Sequence, residues 1–262
     1  MQLQVLGCSG GIGAGQRTTS LLLDDRILID AGTGVGDLSF EALLQIDHIF
    51  LTHAHMDHIA CLPMLLDTAF GSREQPVTVH ATQAAIDVLQ RHIFNWQIWP
   101  DFAAIPSPQA PFLRFAVMEQ GDSVEVPGGR IRALPALHTV PAVAYALHSA
   151  DGCVVFSGDT ADHPPFWQAV NQIADLRALI IETAFADQDA DLARTALHFF
   201  SQRLADRAGP DATRGRCLDY ASKASRPRID HATTSARPRM RPPFCALAAA
   251  ATARLLKNCT PK

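Results

Sequence analysis

The hydrophobic pattern of this chain switches repeatedly between periods of two and 3.6 over its first 200 residues, and then fades. Gln2-Leu3-Gln4-Val5-Leu6 alternates and predicts an opening strand. Two apolar runs, residues 18–23 and 26–29, are split by Asp24-Asp25, which predicts a hairpin. A short helix is expected over 38–44, followed by a strand that ends at Leu51. Helical spacing then runs from about 57 to 68, with Pro63 marking a kink or a 3₁₀ start. A strand over 76–80 leads into a helix over 82–92, for which Thr82 is the expected cap. Residues 112–119, 123–126 and 130–133 read as strands between glycine-containing turns. Residues 142–148 and 153–156 form a hairpin through Asp151-Gly152, and 178–183 is a further strand. Two sets of strands, each interrupted by helices, predict two packed sheets with helices outside.

Composition supports a substantial core, since 48% of the 262 residues are hydrophobic. The formal charge of -4 hides an asymmetry: residues 1–200 carry nine Arg, no Lys and 22 acidic residues, whereas 201–262 carry 13 basic residues and four acidic ones. Six cysteines form no C-x-x-C pair, which fits free thiols in a reducing cytoplasm. The N-terminus reads as a strand rather than a secretory signal, and no run reaches the roughly 18 apolar residues of a membrane helix. The glycine-rich segment Gly11-Ile12-Gly13-Ala14-Gly15 lacks the G-K-[ST] and the helix that a phosphate-cradling loop requires, so a turn flanking the substrate is the better reading.

The densest chemistry lies in Thr52-His53-Ala54-His55-Met56-Asp57-His58, directly after an apolar run. A strand would deliver His53 and His55 to one side, and the following turn would bring Asp57 and His58 back towards them. Imidazole and carboxylate ligands at this spacing suit zinc, manganese or iron. A capped, hydrogen-bonded polar turn is the plainer alternative, but four such residues in six positions argue for metal. His138, Asp159 and Glu182 each stand just past a predicted strand, where a loop-built site can gather them. Asp30, also at a strand end, suits either a turn before glycine or a group that orients a ligand histidine. The aromatic segment 93–102 reads equally as loop packing or as a stacking surface, with Asn95, Trp96 and Trp99 as candidate substrate contacts.

Together, H-x-H-x-D-H at 53–58, His138 and Ser157-Gly158-Asp159-Thr160 resemble the metallo-β-lactamase superfamily. The resemblance implies an α/β fold of the four-layer αββα type over residues 1–208 and a centre of two divalent metal ions, zinc in the first instance. It implies that His53, His55 and His138 hold one metal, that Asp57 and His58 hold the other, and that Asp159 bridges them. Within the superfamily, Leu6-Gly7-Cys8-Ser9-Gly10-Gly11, the segment 94–100, Glu182-Thr183-Ala184-Phe185 and Ala196-Leu197-His198-Phe199 are similar to the class II cyclic-nucleotide phosphodiesterases. That group, like the tRNA 3′-processing endonucleases, places a histidine near the scissile phosphate, at the position of His198 here. The implied reaction is hydrolysis of a small phosphodiester such as a 3′,5′-cyclic nucleotide, through a hydroxide held between the two metals. Asp57 would orient or deprotonate the water, and His198, held by Glu182, would protonate the leaving group. A tRNA-processing nuclease, a lactonase, a thioesterase and a non-catalytic metal-binding protein are the alternatives. Of these, the nuclease lacks an evident RNA-clamping arm between His58 and His138. The partners implied are a small substrate rather than a membrane or nucleic acid, with a homodimer left open.

The chain departs from the family after about Ser201. Arg, Pro, Ser and Ala dominate, the charge changes sign, and no apolar strand ending in histidine is evident. His231, after Arg226-Pro227-Arg228-Ile229-Asp230, is a weak candidate for the last metal ligand. Residues 209–262 thus read as an atypical basic tail, the product of a shifted reading frame or else a genuine basic extension that binds nucleic acid, and disorder is consistent with both.

Overall fold

The computed structural model describes residues 1–203 and the backbone strand Arg216–Asp219. In chain order the elements are β1 (Leu3–Gly7), β2 (Ser20–Leu23), β3 (Ile27–Ile29), α1 (Phe40–Leu43), β4 (His48–Phe50), α2 (Met56–Ile59), α3 (Leu62–Ala69), β5 (Val77–Ala81) and α4 (Gln83–His92). They continue with β6 (Pro106–Ser107), β7 (Ala110–Pro111), β8 (Leu113–Val117), β9 (Ser123–Val126), β10 (Gly129–Pro135), β11 (Val143–Ser149), β12 (Gly152–Phe156), α5 (Pro164–Asn171), β13 (Leu176–Ile181), α6 (Ala190–Thr195) and β14 (Arg216–Asp219). One sheet has the order β1-β2-β3-β4-β5-β8 and the other β14-β13-β12-β11-β10-β9. The two-residue strands β6 and β7 pair apart from both.

Period-two patterning sorts the side chains into three apolar layers. Leu21, Leu23, Ile27, Ile29 and Phe50 of the first sheet meet Ile131, Val143, Tyr145, Leu147 and Phe156 of the second. Their alternates Leu22, Leu28 and Ile49 face outward and are covered by Leu62, Leu65 and Leu66 of α3 and by Ile86 and Leu89 of α4. On the far side, Ala144, Ala146, Val155 and Leu179 are covered by Phe166 and Val170 of α5. Helix, sheet, sheet and helix stack in that order, which is the expected αββα sandwich.

Local chemistry explains most element boundaries. Asp24 and Asp25 take left-handed backbone at φ 46° and 58°, closing the β2–β3 hairpin with the twist that a two-residue connection needs. Thr82 accepts a hydrogen bond from Ala85 N and starts α4 as expected. The helix predicted over 57–68 is two helices broken at Ala60 and Cys61. Pro63 lies in the first turn of α3, where its missing N–H costs nothing. Within the atypical segment beyond residue 201, β14 pairs in parallel with β13 from Ala178↔Arg216 to Ile181↔Asp219. Arg216-Cys217-Leu218-Asp219 has too little alternation to announce a strand. Its pairing is decided by the ladder edge that β13 offers rather than by its own pattern.

The two sheets are joined directly beside the histidine cluster. Tyr145, fully buried on β11, donates its hydroxyl to Leu51 O at 2.7 Å, and Val143 N donates to Thr52 O at 3.0 Å. The second sheet therefore holds the stem of the 52–58 loop that rises from the first. Tyr145→Phe leaves the buried Leu51 carbonyl without this donor, and an unmade buried bond costs about 1–3 kcal/mol. The expected outcome is a lower midpoint in denaturant at unchanged slope, measured by far-UV circular dichroism.

Candidate metal centre

Apart from His198, the chemistry-bearing residues of the site stand just past strand ends on one edge of the sandwich. The 52–58 loop follows β4, His138 lies between β10 and β11, Asp159 follows β12, and Glu182 follows β13. His198 arrives from the turn after α6. Antiparallel pairing of β11 with β12 and parallel pairing of β12 with β13 bring these ends together.

Asp30 fastens the histidine loop at both ends. Buried and left-handed at φ 59°, it accepts from Thr52 N at 2.8 Å, from Thr52 Oγ1 at 2.9 Å and from His58 Nδ1 at 2.7 Å. Ala31 N donates to His58 O at 2.7 Å, so the neighbouring backbone supports the same grip. Of the two readings that the sequence left open, the structure supports the one in which Asp30 orients a ligand histidine. Gly158, at φ 57°, brings Asp159 up beside this loop. A Cβ there would stand 2.9 Å from the Thr52 side chain, so glycine is required on both counts.

Each imidazole is oriented by its outer nitrogen. Thr52 Oγ1 donates to Asp30 and so accepts from His53 Nδ1, 3.0 Å away. His138 Nδ1 donates to Leu197 O at 3.2 Å. These partners assign the proton to Nδ1 in both rings and leave each Nε2 as an inward lone pair. His53 Nε2 lies 3.1 Å and His138 Nε2 3.0 Å from His55 Nδ1. One N–H at His55 can serve only one of them, so the convergence is unfavourable without a cation between the rings. His58 Nε2 is buried without a hydrogen bond and faces Asp159 Oδ1 at 3.4 Å. Ligand atoms of His53, His55 and His138 lie within 4.8 Å of one another, as do those of His53, His58 and Asp159, and those of His138, Asp159 and His198. The residues present therefore fit divalent cations, by donor type as well as by geometry.

Electrostatics agree with that fit. Burial lowers His53 well below its ordinary range and brings His138 down to about 4, so both are neutral ligands. Burial also works against charge at His58, but Asp159 and Asp30 outweigh it and raise this group well above 6.5. Burial would raise Asp159, yet His58, His53 and His198 hold it well below the usual carboxylate range. The cluster thus draws a proton to His58, and a bound cation would take that charge over.

Not every expected residue joins the cluster in the same way. Asp57 is half-buried at its margin, with Oδ2 at 3.8 Å from His58 Nε2. His198 Nε2 lies 3.8 Å from Asp159 Oδ2, and its Nδ1 bonds Glu182 Oε1 at 2.7 Å. Glu182 is buried, is raised by that burial, and also accepts from Thr160 N and Ala184 N, which lock its orientation. Asn95 instead serves its own segment, accepting from Gln97 N and Ile98 N and donating to Arg91 O. Trp99 packs on the outer core of the first sheet, and Trp96 is 63% exposed. The loop folds back on itself, and these three residues are not among the ligand groups of the cluster. His231 lies outside the described residues. The orienting roles of Thr52 and of the Leu197 carbonyl were not anticipated. The position of Thr52 before the first histidine was the one available signal, and a carbonyl leaves none.

A cavity of about 400 Å³ adjoins the cluster through His138, with Thr82, Glu119, Pro141 and Val143 among its walls. No helix among the described residues is long and apolar enough to cross a membrane.

The model of the Beta-lactamase superfamily domain matches residues 25–208. Ribonuclease Z of Halorubrum lacusprofundi is 27% identical over 159 residues, covering 58% of this chain and 48% of that protein. A probable 3′,5′-cyclic-nucleotide phosphodiesterase of Yersinia pestis is 27% identical over 128 residues, covering 38% of this chain and 36% of that one. The chain thus spans about half or less of the length of these relatives. Among solved structures, unliganded yeast PDE1 superposes with a TM-score of 0.68 at 16% identity, covering 98% of this chain and 93% of that one, a likeness of fold.

Asp30→Asn replaces a carboxylate by an amide that cannot accept from Thr52 and His58 on both oxygens. Loss of such an outer partner reduces metal affinity by roughly 10–100-fold. Titration with zinc or manganese against a competing chelator should show that loss, and unchanged affinity would remove Asp30 from the site. In the parent chain the first cation should bind at least tenfold more tightly than the second. Among the described residues, His53, His55, His138 and Asp159 would offer one cation four ligands, whereas Asp57, His58 and Asp159 would offer the other three.

Proposed function

The chain belongs to the beta-lactamase superfamily, and on that premise we propose that it is a metal-dependent hydrolase of phosphodiester bonds, acting on a small substrate such as a 3′,5′-cyclic nucleotide. The observation that carries this reading is the Glu182–His198 pair. It presents an oriented imidazole to the metal cluster, with Nδ1 bonded at 2.7 Å and Nε2 at 3.8 Å from Asp159. A phosphodiester with an alkoxide leaving group needs a proton donor at such a place.

In this reading His53, His55 and His138 would hold one divalent cation, Asp57 and His58 a second, and Asp159 would contribute to both. Bound there, the cations supply Lewis-acid activation of water and neutralise charge that builds up on the phosphoryl oxygens. The chain's own residues do the rest. Asp30 and Thr52 keep His53 and His58 aimed inward, and Leu197 O does the same for His138. Glu182 holds His198 through Nδ1 and leaves Nε2 turned to the cluster, where an Nε2–H can pass to the departing oxygen. Asp57, more exposed than the other ligands, stands where it can orient the attacking water or accept its proton.

The relatives named ribonuclease Z favour a second reading, cleavage of RNA. Against it, residues 1–200 contain no lysine and hold 22 acidic residues against nine arginines. A polyanion gains affinity from phosphate contacts with Lys and Arg, which residues 1–200 supply poorly. Zinc or manganese, a cytoplasmic location and a homodimer remain parts of the proposal rather than findings.

The test compares cyclic AMP, bis(4-nitrophenyl) phosphate and a tRNA precursor with the full chain in zinc or manganese. Hydrolysis of the first two, abolished by chelation and by His55→Ala, is the expected result; preferential cleavage of the tRNA precursor would favour the nuclease. His198→Gln should lower kcat for cyclic AMP by about 10²–10⁴-fold. It should act far more weakly on bis(4-nitrophenyl) phosphate, because nitrophenolate leaves without a proton. Equal losses on both substrates would deny His198 the role of proton donor.

A further inference from the structure

The cavity beside His138 has a chemical character unlike that of the metal cluster. Its approximately 400 Å³ lies at the lower end of ligand-site volumes, which run from about 300 to 1,000 Å³. It is lined by the loop that follows His138, by Val143 at the start of β11, and by Thr82, Glu119 and Gln120 from the ends of β5 and β8. No lysine or arginine lines it, and its one acidic side chain is Glu119. A phosphate entering the cavity would meet like charge and no cation. An uncharged group that donates hydrogen bonds would meet a carboxylate.

Glu119 is held for that task. Its Oε1 accepts from Gln83 N at 2.9 Å at the start of α4, and its own N–H donates to Asp122 Oδ2 at 2.9 Å. The side chain is tethered by one oxygen, while Oε2 makes no hydrogen bond among the described residues. Thr82 beside it is buried, and its hydroxyl is engaged in capping α4 through Ala85 N. Glu119 Oε2 is therefore the charged acceptor that the cavity offers.

We propose that this cavity seats the nucleoside part of the substrate, and that Glu119 selects it by accepting a hydrogen bond from a sugar hydroxyl or a base amine. The inference rests on the phosphodiesterase reading for its substrate, and it deepens that reading by assigning a specificity residue outside the metal cluster. It also gives a physical reason for small substrates. The anionic wall admits one uncharged nucleoside and disfavours the further phosphate that a continuing RNA strand would place there.

The decisive experiment measures binding of adenosine, which has no phosphate, to the full chain by calorimetry, alongside Glu119→Gln and Glu119→Ala. Glu119→Gln keeps an oxygen for Gln83 N and removes the charge, so it decides the matter even where Glu119→Ala fails to fold. Adenosine should bind, and Glu119→Gln should weaken it about tenfold or more, the worth of a hydrogen bond to a charged group. Inosine tests the base amine and 2′-deoxyadenosine a sugar hydroxyl, and whichever is the donor should lose affinity by the same factor. No adenosine binding, or equal affinity for the parent chain and both variants, would overturn the proposal. In hydrolysis, Glu119→Gln should raise KM for cyclic AMP and lower its kcat/KM relative to that for bis(4-nitrophenyl) phosphate by about tenfold. A parallel fall for both substrates would mark a merely structural role and overturn it. Adenosine binding through Glu119 in a chain that cleaves no phosphodiester would support the cavity assignment and refute the hydrolase. Cleavage of bis(4-nitrophenyl) phosphate with adenosine affinity indifferent to Glu119 would do the reverse.

Discussion

A single buried carboxylate sets the geometry on which this molecule's chemistry depends. Asp30 lies at the end of β3 in a left-handed conformation that an L-residue adopts at a cost, and it has no exposure to water. Burial alone would push its carboxyl upward, and only the donors converging on it make its position tenable. Those donors are the residue before the first histidine and the last histidine of the same loop. The polar group is retained for what it orders rather than for stability, as buried polar groups at ligand sites commonly are.

Around that grip the electrostatics form a closed set. Two carboxylates, Asp30 and Asp159, flank His58, while His53 and His138 are kept neutral by burial. Glu182 belongs to a neighbouring set around His198, linked to the first through Asp159. The histidine cluster and the Glu182–His198 pair thus meet at Asp159 and again where the His138 and His198 rings lie edge to face.

Much of this was legible in the chain because period and position are local properties. Apolar runs bounded by turn residues located β2, β3 and β11, and the strand-end positions of His138 and Asp159 foretold where they meet. The break between α2 and α3 was half-visible, since Pro63 can as easily begin a helix as kink one. What could not be read were interactions made by the backbone or decided by the third dimension. The Leu197 carbonyl carries no signature, and Asn95 and Trp99 owe their placement to a loop that folds back on itself. The strand β14 is recruited by the open edge of β13, a property of the neighbour rather than of Arg216–Asp219 itself. Asp30 lay between these cases, because a turn-forming Asp and a ligand-orienting Asp look alike until their donors are in place.

The turn after α6 does two jobs with consecutive residues. Leu197, left-handed at φ 55°, turns its carbonyl to His138, and the next residue, His198, enters the bond with Glu182. The two groups are joined by one peptide unit, so neither can be displaced without dragging the other. In mechanical terms the site has a single hinge there in place of two. A fluctuation that loosens His138 from Leu197 O must withdraw the His198 imidazole in the same motion, so a half-assembled state, with one ring set and the other displaced, is not one this backbone can readily visit.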